Sequence, residues 1–124
     1  MSDIDIEQYR KFHKKRANEL IAEREKKRQN IIAAFPEIAQ VFKQLNAEKV
    51  IIYGSVLTPE NFYQQSDLDI LVFGLNDNKW AEAFRNVELI ESLNMIAIDI
   101  KFDSMVDNSF IDYIFCHCDY MDIL

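Results

Sequence analysis

The sequence predicts an α/β (α+β) domain, a small sheet flanked by helices and led by one long helix. Three observations carry this. Residues 5 to 34 contain no glycine or proline and many strong helix formers. From Lys49 onward the apolar period shortens to that of a strand in three brief segments. Helical spacing returns between and after those segments, which places helices beside the sheet.

The first helix, residues 5 to 34, has its apolar marks at Ile6, Tyr9, Phe12, Leu20, Ile21, Ile31 and Ile32, with Phe35 just beyond. Between Glu23 and Asn30 the run "EREKKRQN" has no apolar residue, so it is expected to be solvated or docked on something else. Pro36 breaks the pattern and opens a second helix, "PEIAQVFKQLN", with Ile38, Val41, Phe42 and Leu45 on one face. Lys49 to Tyr53 reads as a strand, and Asp67 to Phe73 as a second, ended by Gly74. "NKWAEAFRNVELIESLN" reads as one amphipathic helix through Trp80, Ala83, Phe84, Val87 and Ile90, extending to Leu93. "MIAIDIKF" is the third strand, with Ile96, Ile98, Ile100 and Phe102 on its apolar face and Ala97, Asp99 and Lys101 on the other. Residues 108 to 115 read as a closing helix.

The 124 residues suffice for one domain with a real core. Residues 1–35 are expected to form an N-terminal helical extension and residues 36–115 the catalytic core. No run of eighteen apolar residues exists, so no membrane span is expected. The start, "MSDIDIEQYRKFHKK", lacks the apolar core of a signal peptide, so a cytoplasmic location is expected. Cys116 and Cys118 flank His117; next-but-one cysteines are poorly placed to bridge each other, and zinc needs about four ligands. "CHC" therefore reads as ordinary packing. The net charge of −7 is uneven: residues 1 to 48 carry +2 and residues 49 to 124 carry −9. An acidic half of that size argues against direct nucleic-acid binding, which depends on neutralising phosphates, and suits the collection of divalent cations.

The chemistry concentrates in "IIYGSVLTPENFYQQSDLDILVFG". Asp67 and Asp69 stand at i and i+2, so both leave one face of a strand, roughly 6.6 Å apart along it. Carboxylates that close can share metal ions, which in two-metal sites lie about 3.5–4 Å apart. Asp99 offers a third acid if its strand is a neighbour. Without cations the three repel, and at least one tends to stay protonated. Gly54 after a strand permits positive φ and close approach of a ligand to bare backbone. Ser55 can then place its hydroxyl and N–H on a phosphate, and a helix beginning there would add an anion-friendly dipole. A plain turn at Gly54-Ser55 and a solvated acidic strand face are the bland alternatives.

These residues resemble the minimal nucleotidyltransferases of the DNA polymerase β-like superfamily. Their signature is an apolar residue, Gly-Ser, a spacer of about ten residues and Asp-x-Asp in an apolar strand, matched here by "YGSVLTPENFYQQSDLDILVF". "IAIDIKF" resembles the strand bearing the family's third acid, and "FYQQSDLDI" resembles members with Ser66 directly before the acidic pair. The likeness covers roughly residues 18 to 115. It implies the polymerase β-like fold and magnesium-dependent nucleotidyl transfer. Carried over, Gly54, Ser55 and Ser66 bind the nucleotide. Asp67, Asp69 and Asp99 are catalytic and hold magnesium, two ions in the family pattern, with ATP as substrate. Many relatives carry Arg shortly after Gly-Ser. Here that stretch is Val56-Leu57-Thr58-Pro59, so a cationic phosphate contact is either missing or comes from elsewhere, such as Lys101, the basic first helix or a partner chain.

Chains of this size resemble the antitoxin partners of HEPN ribonuclease toxins. The resemblance implies transfer of AMP from ATP to a tyrosine hydroxyl of a HEPN-type toxin, and a possible hetero-oligomer. The rival expectations are a non-catalytic antitoxin that masks the toxin by contact and a stand-alone transferase acting on a small acceptor such as an aminoglycoside. A last one is an α/β protein with an incidental acidic edge.

Overall fold

The computed structural model describes residues 5–62 and 67–124. Helix α1 spans Ile6–Ala33. The Asp5 carboxylate caps it by accepting the N–H groups of Glu7 at 2.9 Å and Gln8 at 3.3 Å. After Ala34 the chain turns directly into α2, Phe35–Gln44, with Pro36 in its first turn, where a missing N–H costs nothing. Phe35, Ile38, Ala39 and Phe42 form its buried face.

Four strands follow: β1 Lys49–Tyr53, β2 Leu68–Phe73, β3 Ile98–Phe102 and β4 Tyr120–Asp122. Their order is β3-β2-β1-β4. β1 pairs antiparallel with β2 and with β4, whereas β2 and β3 are parallel. A parallel pair needs a crossover, and α3, Trp80–Glu88, supplies it. Helix α4, Asn108–His117, lies between β3 and β4 in the chain.

The alternation of each strand divides its residues between two cores. Val50, Ile52, Leu68, Ile70, Val72, Ile100 and Phe102 pack with Ile31, Phe35, Ile38 and Phe42 of α1 and α2 and with Ala83 and Val87 of α3. The opposite face gathers Ile51, Tyr53 and Leu71 against Ile114, Phe110 and Phe115 of α4. Asp69, Asp99 and Lys101 alternate onto this second face. The chain is thus a mixed α+β arrangement, a long N-terminal helix and a four-stranded mixed sheet flanked by helices.

Several elements differ from the sequence expectation. The helix expected over residues 78 to 94 stops at Glu88, because an extended Ile90 (ψ 120°) turns Ile90 and Leu93 into the core through a 3-10 turn. β3 starts at Ile98 rather than Met95, since Met95 takes the left-handed conformation (φ 67°) and cannot extend a strand. β2 begins one residue after Asp67. β4 was not expected at all. On α1, Ile6, Tyr9, Phe12 and Ile21 are exposed, whereas Ile31 is buried. Cys116 and Cys118 are free thiols, and Cys118 packs against the α4 core. Among the described residues no helix is long and apolar enough to cross a membrane.

Candidate functional site

β1 delivers the chain to Gly54, whose φ of 88° and ψ of −151° suit glycine alone. A side chain there is excluded for a second reason: a Cβ would lie 3.0 Å from Asp69 Oδ2. Ser55–Leu57 then form a single 3-10 turn, closed by Leu57 N–H on Gly54 O at 3.1 Å and Thr58 N–H on Ser55 O at 3.1 Å. The N–H groups of Ser55 and Val56 have no acceptor among the described residues. The expected helix dipole is absent, because a three-residue turn has no macrodipole of consequence; the anion-friendly groups are these local N–H donors and the Ser55 hydroxyl.

The turn is braced from two sides. Asp119 accepts the Gly54 N–H through its backbone oxygen at 3.1 Å and the Thr58 hydroxyl through its carboxylate at 2.7 Å. From α1, Arg28 donates Nη1 to Val56 O at 3.0 Å. Its other nitrogens grip Glu25 bidentately, Nε to Oε2 at 2.9 Å and Nη2 to Oε1 at 2.8 Å. The Arg28 hydrogen bonds, with one from Gln29, hold the Glu25 carboxyl down to about 2. The run "EREKKRQN" is therefore docked at Arg28, which is buried, while Lys26, Gln29 and Asn30 face outward.

Beside the turn, Tyr53, Asp69 and Asp99 occupy one register line across β1, β2 and β3. The indole N–H of Trp80 donates to Ile100 O at 2.7 Å and fastens α3 to the strand that carries Asp99. Asp69 is partly buried between Gly54 and Asp99. Burial, then the charge of Asp99, then that of Asp67 push its carboxyl up to about 6, against a lowering by Lys101. Burial first, and then Asp69 and Asp99, raise the Tyr53 phenol well above its ordinary value. Asp99 is ion-paired with Lys101, two residues along the same strand face, and the ammonium also stands 5.6 Å above the Phe110 ring.

The structure describes all of the expected site residues but Ser66. Gly54 adjoins Asp69, Ser55 opens the turn, and Asp69 and Asp99 are neighbours. Asp67 is exposed, one residue before β2. Ser66 lies outside the described residues. Among the described residues no three Asp, Glu, His or Cys side chains are grouped tightly enough to hold one ion. The donor chemistry nevertheless fits magnesium: hard carboxylate oxygens on adjacent strands, one raised by burial and by the charge of Asp99, against a backbone that a Cβ would obstruct.

The Asp99–Lys101 ion pair is partly open to solvent, whereas Asp69 is partly buried. The side chains of Asp99 and Lys101 are 43% and 31% exposed. Three concavities of 440 to 460 Å³ open along α1, and none of the three is lined by Asp69 or Asp99. Sequence reasoning missed the Arg28 and Asp119 braces, and it did not single out Tyr53 as a neighbour of Asp69. The i, i+2 spacing of Asp99 and Lys101 on one strand face was the only available signal for their pairing. No protein-family model, curated protein or solved structure matches the chain.

Proposed function

We propose that the chain is a magnesium-dependent nucleotidyltransferase with the polymerase β-like fold, the antitoxin of a toxin–antitoxin pair, which transfers AMP from ATP to a tyrosine hydroxyl of a HEPN-type toxin. The observation that carries this reading is the neighbouring placement of Asp69 and Asp99 beside the bare backbone of Gly54. It supports the reading because phosphate, cation and carboxylate need to meet at one point, and these residues do so where the sequence resembles the family.

Asp67, Asp69 and Asp99 would hold the metal, which when bound supplies charge stabilisation to the entering and leaving oxygens. The Ser55 and Val56 N–H groups and the Ser55 hydroxyl donate to triphosphate oxygens. Gly54 leaves room for that approach. The acceptor tyrosine oxygen attacks the α-phosphorus in line. A phosphorus–oxygen bond forms there, the bond to the α,β-bridging oxygen breaks, and pyrophosphate leaves with the electron pair. The hydroxyl proton passes to a carboxylate, for which the partly exposed Asp99 is suited. Lys101 neutralises Asp99 without nucleotide and is a cation on the Asp99 strand face that would take over a phosphate oxygen, a role Arg fills in the family that the sequence resembles. An open face suits a protein acceptor better than a small molecule that needs enclosure.

Calorimetric titration with magnesium and a non-hydrolysable ATP analogue tests the site: the wild type binds and Asp69→Asn does not. A second reading, masking of the toxin by contact alone, draws on the ion pair of Lys101 with Asp99. It predicts no nucleotide binding with complex formation intact.

A further inference from the structure

The N-terminal half of α1 leaves the body of the protein. Every residue from 5 to 19 is exposed. A helical piece of that length is marginal in water on its own. Here it continues a helix whose last turns, at Arg28 and Ile31, are buried. The overhang of residues 6 to 19 is about 21 Å long. Ile6, Tyr9, Phe12 and His13 recur on it at helical spacing, with Ile6 and Phe12 each 64% exposed. The His13 ring meets Tyr9 at 4.2 Å and Phe12 at 5.6 Å, which makes an aromatic patch already assembled. Arg10, Lys11, Lys14, Lys15 and Arg16 surround it.

The opposite end of the chain is the complement of this surface. Residues 103 to 124 contain five aspartates, Asp103, Asp107, Asp112, Asp119 and Asp122, and no lysine or arginine; from the sheet, Lys49 stands over the Phe115 ring and Lys101 over the Phe110 ring, so the segment's acids outnumber the cations beside it. Among them Met105, Tyr113, Tyr120 and Met121 are large and exposed, Tyr113 at 58%. Aromatic and methionine anchors within a charged rim are the composition of protein interfaces.

We propose that the basic overhang docks on the acidic α4–β4 surface of a second copy of this chain, and that the exchange is reciprocal, giving a two-fold dimer. The opposite charges and matching aromatic anchors select this pairing. Overhang against overhang would set five cations against five. Reciprocal docking places the same two patches together twice and closes the assembly. The dimer is independent of nucleotide chemistry.

Sedimentation equilibrium of the full chain, over a salt titration, tests this. The wild type is expected at twice the 14.6 kDa chain mass at low salt, shifting toward single chains as salt rises. Lys14→Glu/Lys15→Glu and Asp112→Lys/Asp122→Lys should each be monomeric, with wild-type circular dichroism. Mixed in equal amounts, they should dimerise again, since each altered patch then meets its complement. A wild type of single-chain mass at tens of micromolar overturns the inference and leaves the overhang to a different partner. Variants that remain dimeric, or a mixture that stays monomeric, overturn it equally.

Discussion

Asp69 on β2 is the register partner of Asp99 on β3, so two carboxylates leave the same face of the sheet one strand spacing apart, about 4.8 Å. Burial and this neighbour, with Asp67 and against Lys101, raise the Asp69 carboxyl to about 6. A carboxyl held above its unfolded value binds its proton more tightly in the fold. Its stabilising contribution is present below about pH 4 and is lost as pH rises through about 6. The metal-free protein should therefore lose stability across that window. Asp69→Asn should melt higher than wild type near neutral pH and lose the advantage toward about pH 4. Thermal melts over pH in a chelator check this. An unchanged difference between the two proteins across the window would contradict it.

The cradle at Gly54 and Ser55 makes two separable predictions. Gly54→Ala forces a side chain to φ 88° and 3.0 Å from Asp69 Oδ2, so it should cost about 1–3 kcal/mol and abolish nucleotide binding. Ser55→Ala should leave the melt unchanged and remove one hydrogen bond to a charged group, worth about 1.5–3 kcal/mol. That is roughly a tenfold to hundredfold loss of ATP-analogue affinity by calorimetry. A plain turn would instead show the stability loss at Gly54 and nothing at Ser55.

Arg28 ties α1 to the same turn through Val56 O. Arg28→Ala strips a buried carbonyl of its donor and should cost about 1–3 kcal/mol in urea unfolding. Arg28→Lys can replace at most part of the three bonds. Nucleotide affinity should fall with both, because the turn that presents Ser55 loosens. Unchanged stability in Arg28→Ala would show that the contact contributes nothing.

Lys101 is the resident counter-cation of Asp99. Lys101→Met should tighten manganese binding without nucleotide by a few-fold, since a half-exposed pair is worth about 1 kcal/mol or less. It should weaken binding of the ATP analogue. Electron paramagnetic resonance of free manganese measures the first effect and calorimetry the second. A fall in both affinities would assign Lys101 to folding of the site instead.

Much of this was legible in the residues. The change of period at Lys49 marks β1 to both of its ends and the absence of Gly and Pro marks α1, while of the Asp67 and Asp69 pair only Asp69 lies within β2. The adjacency of Asp99 was legible only as a condition, because strand order is a tertiary choice made when α3 crosses over and β3 adds in parallel to β2. Burial of Arg28 was hidden inside a charge run that reads as solvated or docked, with no sign of which residue would dock. Its ion pair with Glu25 has ordinary helical spacing, and nothing local indicates that Val56 O lies within reach. β4 escaped because three residues after "CHC" are too few to show a period, and they become a strand by pairing with Ile51, Ile52 and Tyr53.

The proposed nucleotidyl transfer at Asp67, Asp69 and Asp99 is measured most directly as incorporation of label from α-labelled ATP. The chain would be incubated with magnesium and a HEPN-type toxin, followed by intact-mass analysis. The account predicts that the partner gains the mass of AMP on a tyrosine, that chelator stops the gain, and that Asp67→Asn/Asp69→Asn does not support it. Labelling by that double variant at the wild-type rate, or a wild type that neither labels the partner nor binds the magnesium nucleotide, would contradict it.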